Sequence, residues 1–186
     1  MDAAEYQHAV VYFLPDGEKP APRAPGSFKI VTEDKRLKPD LLVIPKGSTV
    51  SFPNFDPILH NVFSVSTGNA FDVGIYGAGE SRSVTLANPG IVLVNCNVHH
   101  AMQANILVMD TPYYTRVGDD GRFTLDNLPD DARGNLYVWQ ARANVHVQPV
   151  QLPQSGSLDI SMAITKPRLI PHLNKLGKPY RPERGD

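Results

Sequence analysis

The 186-residue sequence is short of several things, and each shortage excludes something. It has one cysteine, so no disulfide can form within the chain and cross-links say nothing about its redox compartment. No stretch approaches the roughly eighteen apolar residues that a membrane-spanning helix needs. Neither charge is in excess: 18 basic against 19 acidic residues give a formal net charge of -1, unlike the marked basic excess of general nucleic-acid or anionic-membrane binders. No window sustains helical periodicity. Residues 67 to 80 hold Gly68, Gly74, Gly77 and Gly79, yet a phosphate cradle also needs a strand-to-helix context and a lysine-serine/threonine end, and neither is there. The opening Met1-Asp2-Ala3-Ala4-Glu5 lacks the basic and apolar regions of a signal peptide. For an exported protein the expectation is therefore a signal already removed and a Met1 added for expression.

What is abundant is punctuation. Pro 17 and Gly 14, with short apolar runs between them, predict an all-β chain of many strands and turns. The length allows one large sandwich or two small domains. His8-Ala9-Val10-Val11-Tyr12-Phe13-Leu14 is a β-rich run stopped by Pro15-Asp16-Gly17. Residues 18 to 26 carry Pro20, Pro22 and Pro25 and cannot continue a central strand. Strands follow at 27 to 31, at Leu41-Leu42-Val43-Ile44, and at Thr49-Val50-Ser51-Phe52, with a charged turn at Glu33-Asp34-Lys35-Arg36. Phe63 and Val65 repeat the alternation, residues 67 to 80 read as a loop or irregular edge with apolar anchors, and Ser83-Val84-Thr85-Leu86 alternates again.

The most informative stretch is Val94-Asn95-Cys96-Asn97-Val98-His99-His100-Ala101-Met102. It holds the lone cysteine, a histidine three residues later and a methionine three residues after that. Thiolate, imidazole and thioether together suit copper, because sulfur favours Cu(I) and imidazole tolerates both oxidation states. His60, in Asp56-Pro57-Ile58-Leu59-His60-Asn61, would complete a trigonal His2Cys set with Met102 as a weak axial ligand. Alone, a cysteine ending the apolar run Ile91-Val92-Leu93-Val94 is usually only a small buried filler. The accompanying His60, His99 and Met102 favour a site instead.

His60-Asn61 followed by Cys-x2-His-x2-Met resembles the type 1 (blue) copper site of the cupredoxins, plastocyanin- and amicyanin-like, and the short loop is most similar to that of amicyanin. The resemblance covers residues 27 to 110 and includes Pro45-Lys46-Gly47-Ser48-Thr49-Val50, Phe52-Pro53-Asn54 and Asn88-Pro89-Gly90. It implies a Greek-key β-sandwich, one copper ion held by His60, Cys96, His99 and Met102, and Asn61 beside them. The Asn61 side chain would tie the two ligand-bearing loops together, and its N–H would face the thiolate. With all four positions filled by protein, the resemblance implies outer-sphere electron transfer between redox proteins in the periplasm, not catalysis. The His-x-His pairs of multicopper oxidases and nitrite reductases are missing, as is the second cysteine of a dinuclear centre. Copper storage, delivery or resistance with the same ligands is the rival reading, and a metal-free scaffold the third. The loop is too short to aim both His99 and His100 at one ion, so His100 is expected to face solvent, and the isolated His8, His146 and His172 are expected to be surface or structural histidines rather than ligands. A second metal site would need His100 to meet other histidines in space.

The second half changes character. Asp119-Asp120-Gly121 predicts a turn before strands at Arg122-Phe123-Thr124-Leu125 and Leu136-Tyr137-Val138-Trp139, and residues 158 to 164 alternate cleanly. This pattern resembles the transthyretin-like sandwich of carboxypeptidase regulatory-type domains. The combination is similar to bacterial proteins labelled methylamine-utilisation proteins. It implies a cupredoxin segment at 27 to 110 inserted into a second sandwich built from residues 1 to 26 and 111 to 165. Residues 166 to 186 are a proline-rich tail with six basic and two acidic residues, expected to be solvated or to dock on an acidic partner or on the body of the protein.

Overall fold

A computed structural model describes residues 6, 8–99, 101–153, 157–163, 174, 176 and 178. His100, His172 and nearly all of the basic tail, on which several expectations fall, lie outside the described residues. Among the described residues every element is a strand. The chain divides into two compact units, one from the described residues of Met1–Arg23 and Thr111–Arg168, the other from those of Ala24–Asp110 and Leu169–Asp186.

In chain order, β1 (Ala9–Pro15) belongs to the first unit. The second unit then supplies β2 (Ser27–Lys29), β3 (Val31–Glu33), β4 (Arg36–Lys38), β5 (Leu41–Pro45), β6 (Ser48–Pro53), β7 (His60–Ser64), β8 (Phe71–Tyr76), β9 (Ser81–Leu86), β10 (Gly90–Cys96) and β11 (Gln103–Met109). The first unit resumes with β12 (Tyr114–Arg116), β13 (Arg133–Gln140) and β14 (His146–Gln151).

The second unit is a sandwich. A five-stranded sheet in the order β5-β11-β10-β7-β8 faces a three-stranded sheet β2-β6-β9, and β3 and β4 form a separate hairpin. The alternation in β6 decides its inward face: Val50 and Phe52 are fully buried, while Thr49 and Ser51 are only half-buried. Both meet Val62, Val92, Val94 and Ile106 of the other sheet in one core, which also contains Cys96 and Met102. The glycine-rich 67 to 80 region is more regular than expected. Its middle is β8, the edge strand, paired to β7 with a register shift between Asn61 and Phe63.

The first unit has one four-stranded sheet, β12-β1-β13-β14. Pro149 is tolerated because β14 is an edge strand, with only β13 as its neighbour. Ala9, Val11, Phe13, Leu136 and Val138 point to one face, where Phe123, Leu125, Leu158, Ile160 and Met162 pack against them. The two expected strands at 122 to 125 and 158 to 164 are therefore half right. Their burial alternates through 122–125 and 157–163, but among the described residues neither belongs to a sheet. Side-chain alternation needs only a half-buried extended chain, whereas a strand also needs a neighbour in register.

Candidate metal centre

Three elements bring the site together. β10 ends at Cys96, which pairs with Val62 of β7, so the carboxyl end of β10 lies beside the start of β7 at His60. The loop from Asn97 to Met102 then returns the chain to β11. It is tied at both ends: Cys96 N–H donates to the Met102 carbonyl at 3.2 Å, and Met102 N–H to the His99 carbonyl at 3.1 Å.

His60 Nδ1 lies 3.7 Å from Cys96 Sγ and 3.3 Å from His99 Nδ1. The three donor atoms all fall within 4.8 Å of one another. Contacts of about 2.0–2.3 Å to a single ion would put its ligand atoms roughly 3–4 Å apart, and the two separations from His60 Nδ1 fall in that range. His60 and Cys96 are fully buried, Met102 is buried with them, and His99 is half-exposed. The two imidazoles, the sulfur and the neighbouring thioether are the soft and borderline donors that suit copper, consistent with one type 1 site. Burial pushes the phenol of Tyr76, paired opposite His60, up to about 12, so it stays neutral beside this cluster.

Asp56 went unassigned in the sequence and is the main addition. Its Oδ2 lies 2.8 Å from His60 Nε2. The carboxylate also accepts the N–H of Asp34 at 2.7 Å and of Lys35 at 3.1 Å. Burial alone would raise its pKa, but the bonds from His60, Lys35 and Asp34 outweigh it and hold the carboxyl below the usual range. An ionised carboxylate only accepts, so Nε2 carries a proton, and in the neutral ring, the form that binds a metal, Nδ1 then turns a lone pair toward Cys96 and His99.

Asn61 behaves differently from expectation. Its side-chain amide donates to Asp72 Oδ1 at 2.5 Å and to the Gly74 carbonyl at 3.0 Å, both on β8. The link to the cysteine loop is instead through the main chain, where Asn97 N–H donates to the Asn61 carbonyl at 3.0 Å. An amide with two acceptors on the adjacent strand has no donor left for the loop. Val98 and Ala101 are exposed, as is Pro57, but Ile58 is half-buried, and Phe55 and Leu59 are the large exposed side chains of that loop. Val98 precedes His99 and Leu59 precedes His60, so both flank the donor residues in the chain.

No protein-family model and no curated protein sequence matches the chain. Solved structures do. A copper-containing nitrite reductase from Thermus scotoductus SA-01 aligns at 24% identity and a TM-score of 0.43, covering 51% of this chain and 25% of the other. The chain thus spans about a quarter of that enzyme's length. A purple cupredoxin from Nitrosopumilus maritimus aligns at 22% identity and a TM-score of 0.39, covering 44% and 98%. A point mutant of amicyanin in its Cu(I) form aligns at 19% identity and 0.42, covering 53% and 98%.

Proposed function

We propose that this protein is a periplasmic type 1 copper protein that carries single electrons between redox partner proteins and is not itself an enzyme. The convergence of His60 Nδ1, His99 Nδ1 and Cys96 Sγ, all within 4.8 Å of one another, supports this most directly. His60, Cys96 and His99 would hold the ion in a trigonal set, with Met102 as the axial donor. Residues 27 to 110 would form the cupredoxin-type domain, and residues 1 to 26 with 111 to 165 the transthyretin-like companion. A copper ion held there supplies a one-electron couple whose potential follows from these donors.

The chain's own residues do the rest. The fully buried His60 and Cys96 keep water from the donors, and strands rather than a free loop fix two of them. The tied loop between Cys96 and Met102 holds His99 at the half-exposed side, where an electron can pass to a partner. Exposed Val98 and Leu59, next to His99 and His60 in the chain, would offer apolar contact to a partner, as suits brief encounters. The distinction from copper delivery is experimental. Voltammetry of the copper-loaded chain should show a reversible one-electron couple, with copper retained against a competing chelator. Irreversible waves with rapid copper loss would favour copper handling.

A further inference from the structure

The far side of the His60 ring leads out of the site to a hairpin turn. Nε2 meets Asp56 Oδ2 at 2.8 Å, and Asp56 in turn receives Asp34 N–H on Oδ1 at 2.7 Å and Lys35 N–H on Oδ2 at 3.1 Å. Asp34 and Lys35 are the two central residues between β3 and β4, where Glu33 pairs with Arg36. Their φ angles are 55° and 54°. Two-residue hairpins favour positive φ at both positions, but glycine or asparagine usually takes them, since a β-carbon disfavours that backbone. Such a conformation persists where its surroundings over-determine it. Here successive N–H groups point at one carboxylate, forming an anion-binding concavity.

The backbone of Asp56 is fixed as well. Asn54 Oδ1 accepts the Asp56 N–H at 2.9 Å and the Thr32 hydroxyl at 3.0 Å, while its amide donates to the Ile58 carbonyl at 2.8 Å. Thr32 and Asn54 are fully buried. Asp56 is thus held from β3, from the hairpin turn and from its own loop, and among the described residues its side-chain partner besides that turn is His60.

We propose that Asp56 is a positioning residue of the metal centre, and that the Asp34-Lys35 turn, by gripping its carboxylate, fixes the His60 ring with Nδ1 presented to Cys96 and His99. The proposal rests on reading His60 as a metal ligand. A carboxylate behind a ligating imidazole fixes its tautomer and increases its basicity. Greater donor strength favours Cu(II) over Cu(I), so the clamp also lowers the potential.

Two measurements on the full chain test this separately from the copper reading. Nitrogen-15 NMR of the metal-free protein at neutral pH should show His60 as the Nε2–H tautomer, and Asp56→Ala should mix the tautomers. In copper-loaded protein, Asp56→Asn, which keeps an acceptor oxygen but no charge, should weaken Cu(II) binding by about 10–100-fold and Cu(I) binding less. A tenfold difference between the two losses is an upward shift of about 59 mV for one electron. Lys35→Pro, which lacks the N–H and cannot adopt a φ of 54°, should move His60 part of the way toward the Asp56→Ala tautomer mixture. If that variant does not fold, the two Asp56 variants carry the test. A wild-type His60 protonated on Nδ1, or an Asp56→Asn potential equal to wild type, overturns the proposal. Clamped tautomers in a protein that gives no thiolate-to-copper colour would instead leave the clamp standing and remove the copper reading.

Discussion

The N–H of Cys96 donates to the Met102 carbonyl at 3.2 Å, so the first and last sulfur-bearing residues of the loop are joined through their backbones. Both side chains are buried in the same core. The backbone of Met102 is therefore held beside that of Cys96. Met102→Gln should keep copper bound and lower the potential, because an axial amide oxygen favours Cu(II) more than a thioether does. The expected change is on the order of one decade in relative affinity, about 59 mV, read by voltammetry. An equal or higher potential would take Met102 out of the ligand set.

Leu59 and Val98 are 57% and 45% exposed and adjoin His60 and His99 in the chain. Leu59→Lys and Ala101→Glu should slow electron exchange with a partner several-fold while leaving the visible spectrum and potential nearly intact. Stopped-flow mixing measures this. Unchanged kinetics in both variants would mean that the electron enters elsewhere.

Asp56 gives a pH dependence whose sign is fixed. Its carboxyl titrates lower in the folded protein than in the unfolded chain. Its stabilisation is then present above the unfolded value of about 3.9 and is lost as pH falls through the folded one. Asp56→Asn should lower the urea midpoint of the metal-free protein at pH 7, and the gap from wild type should narrow by pH 3. A gap that stays constant or widens on acidification would contradict the assignment of an ionised, hydrogen-bonded carboxylate.

The first unit has its own sensitive point at Gly134. It sits on β13 opposite Pro15 of β1, and a β-carbon there would run into the Leu14 carbonyl and lie 2.8 Å from Phe13 Cζ. Neither the backbone nor the buried ring can yield cheaply. Gly134→Ala should destabilise the unit by about 1–3 kcal/mol while the copper spectrum stays unchanged. Thermal unfolding followed beside the visible band separates the two effects, and a loss of both together would show that the units do not behave independently.

The meeting of His60, Cys96 and His99 was legible because the pattern is local: Cys96 and His99 share one short loop, and His60 stands at the start of a strand. Asp56 was not legible. Its carboxylate lies four residues before His60, but its grip comes from Asp34 and Lys35, 22 and 21 residues upstream. Only the β3–β4 hairpin folding over the loop brings them together. The segments 122–125 and 157–163 show the opposite limit. Alternation identified which of their side chains are covered, yet period two carries no information about which neighbour supplies hydrogen bonds. The Asn61 side chain was assigned to the wrong neighbour because Asp72 and Gly74 reach it only through β8, in a region that read as irregular.

Titration of the full chain with Cu(II), followed in the visible range, tests the central claim most directly. The arrangement of His60, Cys96 and His99 predicts an intense thiolate-to-copper charge-transfer band that saturates at one equivalent and vanishes in Cys96→Ser, since a serine hydroxyl is neither ionised nor soft enough to replace the thiolate. Weak absorption typical of ordinary cupric complexes, or a band that survives the serine substitution, would contradict it.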